Sequence, residues 1–198
     1  FEQSEVELTL RVAAIVVAVG FDPFDPSHLT QYGYRKYRNV ITALEYERLI
    51  SASGPTGGHL ERPSDGKAPE KIAFIQCIGS RDIRNNPYCS AVCCMHATKE
   101  AILAVEHDPR VKPYIFYMDL RAAGKGFQKY IAKAKEEYHA SYIRGRIARI
   151  TEDAEGNLTL WYENVETSKI ERMTVDLVVL ATSLIPRSGV EELAKVLG

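Results

Sequence analysis

Cys77, Cys89, Cys93 and Cys94 are the only cysteines in a chain of 198 residues, and all four fall between positions 77 and 94. Thiols gathered this tightly point to metal ligation, cluster ligation or redox exchange rather than to core packing. Cys89 and Cys93 are four apart, so a helix through them stacks the two on one face. Cys94 then sits about 100° further round the same turn. Cys77 closes the apolar run Lys71 to Gly79 and delivers a fourth sulfur from a strand end. A helix N-terminus also favours the negative charge that thiolate ligation brings.

Four chemistries fit four neighbouring thiols. Structural zinc usually takes C-x2–4-C pairs, whereas the spacing here is C-x11-C-x3-C-C, and adjacent cysteines fit poorly around one small tetrahedral ion. Disulfides belong to oxidising compartments, and no secretory signal precedes these residues. A redox pair normally reads C-x-x-C, which is absent. An iron–sulfur cluster is larger than a single ion, so adjacent cysteines can reach different irons. Spacing alone leaves the cluster and its rivals evenly open.

Other candidates carry less. Lys99 falls on the apolar stripe Val92, Met95, Lys99, Ile102, where it either snorkels outward or meets an anionic or flavin partner. Gly124-Lys125-Gly126 before a helix could bind an anion but reads more simply as a turn. Arg144, Arg146 and Arg149 read as a solvated strand face. The five histidines are scattered, without ligand spacing, and no Ser/His/Asp triad or paired-carboxylate site is legible.

The elements that must position the cysteines follow from pattern. Leu8 to Gly20 reads as a buried strand, turning at Gly20-Phe21-Asp22-Pro23. Ile41 to Ile50 reads as a helix with a Thr42/Glu45 capping box and Leu44, Leu49 and Ile50 inward. Ser51 to Glu70 is a long Gly/Pro-rich loop of the kind that is functional or mobile. Then come a strand from Lys71, a helix from Ser90 to His107, a strand from Tyr114 to Leu120 and a helix from Gly126 to Tyr138. Strands at Ser141–Thr151, Leu158–Asn164 and Lys169–Thr174 form a β-meander, and Asp176 to Ala181 is a last apolar strand. This order is α/β, with a parallel sheet and right-handed crossover helices.

Lys plus Arg number 25 against 26 Asp plus Glu, so bulk charge draws the chain neither to nucleic acid nor to anionic lipid. The longest apolar run, Val12 to Phe21, is too short to cross a bilayer, which argues against direct membrane insertion. Unpaired thiols without a secretory signal predict a cytoplasmic protein. The opening Phe1-Glu2-Gln3 lacks an initiating Met, so the expectation is a fragment of a longer polypeptide.

The runs FIQCIGSRD (74–82) and NPYCSAVCCM (86–95) resemble the heterodisulfide reductase A family. So do SASGPTGG (51–58), RPSDGK (62–67) and DLRAAGKG (119–126), and the likeness spans Val12 to Pro186. The resemblance implies that Cys77, Cys89, Cys93 and Cys94 bind one 4Fe-4S cluster, the alternative being a non-catalytic scaffold with a four-cysteine zinc site. It also implies a flavin and iron–sulfur oxidoreductase. Its FAD accepts electron pairs, linked to disulfide reduction and to flavin-based bifurcation. Implied partners are the other heterodisulfide reductase subunits and electron carriers such as ferredoxin or a hydrogenase or dehydrogenase subunit. Kinship with a quinone-interacting membrane-bound oxidoreductase leaves the complex served open.

That family resembles thioredoxin reductase, an FAD domain interrupted by a second Rossmann-like domain. The implied organisation is the end of an FAD segment at 1–25 and a connector at 26–70. The Rossmann-like insert follows at 71–183, with a return segment at 184–198. Gly20 would then close an FAD-domain strand and Lys99 would face the flavin, with Ser183 standing where glycine is expected. The strand ending at Gly20 is expected to pair with the strand ending at Ala181, and an apolar edge left open is what a homodimer would cover. A dinucleotide site needs G-x-G-x-x-G after the first strand of the insert; that position reads Cys-Ile-Gly-Ser-Arg-Asp (77–82), so the insert is expected to have exchanged nicotinamide for a cluster.

Overall fold

The computed structural model describes residues 4–198 and divides into two units, one of residues 23–184 and one of 4–22 with 185–198. In chain order the elements are β1 (Phe21–Pro23), β2 (Val40–Thr42), α1 (Ala43–Ile50), β3 (Lys71–Ile78), α2 (Cys93–His107), β4 (Lys112–Tyr117) and α3 (Phe127–Glu136). They continue with β5 (Ser141–Glu152), β6 (Leu158–Asn164), β7 (Lys169–Val175), β8 (Leu177–Thr182), β9 (Leu184–Pro186) and α4 (Val190–Leu197).

The larger unit is built on a seven-stranded sheet of order β2-β8-β3-β4-β5-β6-β7. The first five strands are parallel, and β5, β6 and β7 form the antiparallel meander. The two-residue side-chain period sorts the core into two layers. Ile72 and Phe74 of β3, Ile115 of β4 and Leu177 and Val179 of β8 meet Tyr46, Ala97, Ala101 and Ala134 of the helices. Ala73 and Ile75, Phe116, and Val178 and Leu180 face the other way, onto Ile147, Leu158, Leu160 and Val175 of the meander. Helices cover one face of the parallel sheet and the meander covers the other, a Rossmann-like α/β unit.

Thr42 caps α1 as its sequence predicts: its hydroxyl accepts from Glu45 N–H, and the Glu45 carboxylate accepts from Thr42 N–H at 2.7 Å. The buried face differs in part. Leu49 and Ile50 are inside with Ala43 and Tyr46, but Leu44 is 46% exposed. The loop between α1 and β3 is held by Arg62, which is 7% exposed. Its guanidinium donates to Asn157 Oδ1 at 2.9 Å and Glu155 O at 2.8 Å, and pairs with Asp65 at 3.1 Å. Arg62 thus clips the loop to the β5–β6 turn. Arg62→Met is expected to cost about 1–3 kcal/mol in urea unfolding, because the partly exposed acceptors on the loop and turn lose a charged donor and the clip between them opens. A loss below about 0.5 kcal/mol would mean the clip is ornamental.

Three expectations are corrected. Residues 8–20 form no strand, and Val6, Leu8, Leu10, Ile15 and Val16 are between 65% and 90% exposed. A strand needs a partner to satisfy its backbone, and no strand of the described residues lies along this stretch. The expected pairing with the strand ending at Ala181 is absent, because β8 is already flanked by β2 and β3. The helix that carries the cysteines begins at Cys93, later than the expected Ser90. In the smaller unit, α4 buries none of its residues, and Val196 is 82% exposed. No helix of the described residues is long and apolar enough to cross a membrane.

Candidate cluster centre

The four cysteines converge at the C-terminal end of the parallel strands, where α/β folds place ligands. Cys77 stands at the end of β3 in left-handed conformation (φ 60°), starting a loop that also turns at Gly79 (φ 73°) and Arg81 (φ 57°). Gly79 cannot be replaced at low cost: a Cβ there would fall 2.3 Å from the Phe24 ring. Ahead of α2, Ala91 at φ 61° interrupts helical geometry. Cys89 therefore hangs from the preceding loop and does not share a helical face with Cys93.

That loop is tied down on both sides. Asn86 donates through its amide to Gly79 O at 2.9 Å and Ser183 Oγ at 3.1 Å. Ser80 Oγ donates to Tyr88 O at 2.8 Å, and Ser90 Oγ accepts from Leu184 N–H at 3.0 Å. Ser183, fully buried, is therefore a latch for the cysteine loop.

Cys93 and Cys94 are buried, Cys77 and Cys89 half-buried, and all four are free thiols. Backbone N–H groups of Ala91 and Arg121 point at Cys89 Sγ (3.4 Å) and Cys94 Sγ (3.3 Å). Burial first, and then the neighbouring cysteines, pushes the Cys77 thiol up to about 11 and the Cys93 thiol to about 12. Cys94 is raised as well, chiefly by burial. A nucleophilic redox cysteine needs the opposite shift, which argues against exchange chemistry at these thiols. Among the described residues no three cysteine sulfurs lie within 4.8 Å of one another.

The acidic residue beyond the second strand, Asp119, is committed elsewhere. It pairs with Arg81, and Arg121 Nε lies 3.6 Å from its other oxygen. The carboxylate that would take a ribose in a dinucleotide site is thus neutralised, just where the glycine fingerprint is replaced by cysteine.

The Lys99 side chain is 41% exposed and its ammonium pairs with Glu47 of α1. Gly20 lies in the smaller unit, exposed at φ 76°, with nothing within 4 Å of a would-be Cβ. Arg144, Arg146 and Arg149 are exposed as expected. Arg149 stacks on Trp161, 4.7 Å from the ring centroid. Sequence reasoning missed Glu47, His96 and Glu100, which meet where α1 packs on α2. The signal present was His96 and Glu100 at helical i, i+4 spacing.

No protein-family model matches the chain. It is 48% identical over its whole length to the A subunit of the H(2)/formate:CoB-CoM heterodisulfide,ferredoxin reductase of Methanococcus maripaludis. The iron-sulfur A subunit of the CoB--CoM heterodisulfide reductase of Methanocaldococcus jannaschii is likewise 48% identical. The chain spans 30% of the length of each of these relatives. Among solved structures, L-lysine 6-monooxygenase from Pseudomonas syringae superposes with a TM-score of 0.56 at 10% identity, over 86% of this chain and 45% of that one. Thioredoxin reductase from Streptococcus pyogenes superposes at 0.49 with 15% identity, over 86% and 44%. Over its full length, therefore, the chain is a homologue of the A subunits of heterodisulfide reductases and corresponds to a portion of those proteins.

Proposed function

We propose that Cys77, Cys89, Cys93 and Cys94 hold one 4Fe-4S cluster, and that this chain is the electron-transfer portion of a flavin-containing heterodisulfide reductase of the same family. The observation that carries the reading is the convergence of four thiols at one end of the sheet, with two backbone N–H groups aimed at sulfur. The donor set fits. Thiolates on a single tetrahedral zinc sit about 3.8 Å apart, and a group of sulfurs with no close triple suits a larger cluster better. When bound, the cluster supplies one-electron steps beside a two-electron flavin.

The chain's own residues give the site its electrostatics. N–H donors on Cys89 and Cys94 stabilise charge on sulfur, which raises a cluster's potential. Arg81, beside Cys77 and paired with Asp119, adds a cation on the loop side. Lys99 is proposed to face the flavin, with Glu47 fixing its ammonium, and Gly20 to close a strand of the FAD domain. In this reading residues 1–25 and 184–198 are edges of that domain, and exposed Val6 to Val17 are covered by it.

The oxidoreductase as a whole would work with other heterodisulfide reductase subunits in the cytoplasm. Relatives are named for ferredoxin and for F(420)H(2), and ferredoxin or a hydrogenase or dehydrogenase subunit is proposed as the carrier here. Anaerobic incubation with iron and sulfide tests the site. The chain is expected to gain a broad visible absorption that dithionite bleaches; a chain that stays colourless would refute the assignment.

The same reading expects no nicotinamide binding, because the glycine fingerprint is gone and Asp119 is engaged. Calorimetric titration with NADH and with NADPH should give no saturable heat. A micromolar dissociation constant for either would contradict the exchange of nicotinamide for a cluster.

A further inference from the structure

A second group of metal-ligating side chains lies outside the cysteine loop. Glu47 projects from α1, and His96 and Glu100 project from α2 one turn apart. His96 Nε2 is 2.8 Å from Glu47 Oε1 and 3.4 Å from Glu100 Oε1, and one ligand atom from each of the three lies within 4.8 Å of the others. Glu100 is fully buried, yet neither of its carboxylate oxygens has a hydrogen-bond partner. The hydroxyl of Tyr46, also fully buried, is unpartnered too.

A carboxylate in the core without donors is among the costliest arrangements a protein can hold. Burial pushes Glu100 well above the usual carboxylate range, and the nearby Lys99 ammonium only partly opposes it. Lys99 gives its ammonium to Glu47 Oε1, the oxygen that His96 Nε2 also approaches, and leaves both Glu100 oxygens without a hydrogen-bond partner. What is missing is a positive centre between the three ligand atoms.

We infer that Glu47, His96 and Glu100 form a binding site for a divalent transition cation, separate from the cysteine centre. One imidazole nitrogen with two carboxylates is a donor set for Mn(II), Fe(II) or Zn(II) and a poor one for thiophilic ions. The cation would supply the counter-charge that Glu100 lacks. With three protein ligands, coordination positions remain for water, one of which would reach the Tyr46 hydroxyl. Helices α1 and α2 contribute ligands jointly, so the ion would also staple the connector helix to the cysteine-bearing helix. The inference does not depend on the cluster or the flavin.

Mn(II) is the probe, because thiolates compete for it weakly. The chain is titrated with Mn(II), and the free ion is followed by its paramagnetic resonance signal. One Mn(II) per chain is expected to be retained at micromolar affinity. Glu100→Gln should weaken it at least tenfold, and Cys93→Ser should leave it unchanged. Glu47→Gln alters a half-exposed side chain outside the core, a milder change, so it gives the same reading should Glu100→Gln misfold. No retention of Mn(II), retention indifferent to both glutamate variants, or retention lost in Cys93→Ser would each overturn the inference.

Discussion

Cys93→Ser is expected to abolish cluster assembly, dropping iron after anaerobic reconstitution from about four per chain to below one. Of the four thiols Cys93 is the most enclosed, 6% exposed at the first position of α2, with its sulfur 3.9 Å from Thr182 O at the end of β8. It has β3 on one side and β8 on the other, so no neighbouring group can swing in to replace it. A hydroxyl is a weak ligand to iron and leaves one corner open to solvent. Iron analysis with the dithionite-bleachable absorbance checks the outcome. Ser90→Ala is the matched control: it removes only the hydroxyl that accepts from Leu184 N–H and should leave iron binding largely intact. Iron retained in full by Cys93→Ser would remove this residue from the ligand set.

The second large effect is expected at Lys99. In the longer protein, Lys99→Met should lower the flavin potential while iron content stays unchanged. A cation beside an isoalloxazine ring stabilises the electron-rich reduced form, so its removal makes reduction harder. At an effective dielectric near the protein surface the interaction is on the order of 1–2 kcal/mol, or about 20–45 mV for the two-electron flavin couple. Pairing with Glu47 places the effect at the lower end, since the carboxylate cancels part of the charge. Glu47→Gln should move the potential the opposite way, by freeing the ammonium. Spectroelectrochemical titration of both variants checks the pair. An unchanged potential in Lys99→Met would place the side chain away from the flavin and leave it a surface snorkel.

Much of the fold was legible because local signals agreed with tertiary demand. Leu158–Asn164 alternates fully buried with less buried residues, is bounded by turn residues and forms β6 at those limits. Thr42 and Glu45 cap α1 because the capping box is satisfied within four residues. The four cysteines stood out as a group because all fall between positions 77 and 94.

What failed were features that depend on distant partners. The start of α2 was misjudged because Cys89-Ser90-Ala91 has no helix breaker in its sequence; the left-handed Ala91 is imposed by the latch through Ser90 and Asn86. Residues 8–20 carry a strand's composition, but composition does not supply the neighbour that a strand requires. Glu47 meets His96 and Glu100 only because α1 docks on α2, and a residue about fifty positions before the other two cannot announce that contact. Arg81 with Asp119 is the same kind of pair: each lies just past the end of a strand, and the parallel register of β3 and β4 brings them together.

The most direct test of the central claim is the metal content of the intact chain. After anaerobic reconstitution and desalting, iron, acid-labile sulfide and zinc are measured on one sample, and its iron is examined by Mössbauer spectroscopy. About four irons and four sulfides per chain are expected, in a single 4Fe-4S cluster. One zinc per chain with no iron uptake would contradict it, and would make the cysteine loop a structural clasp.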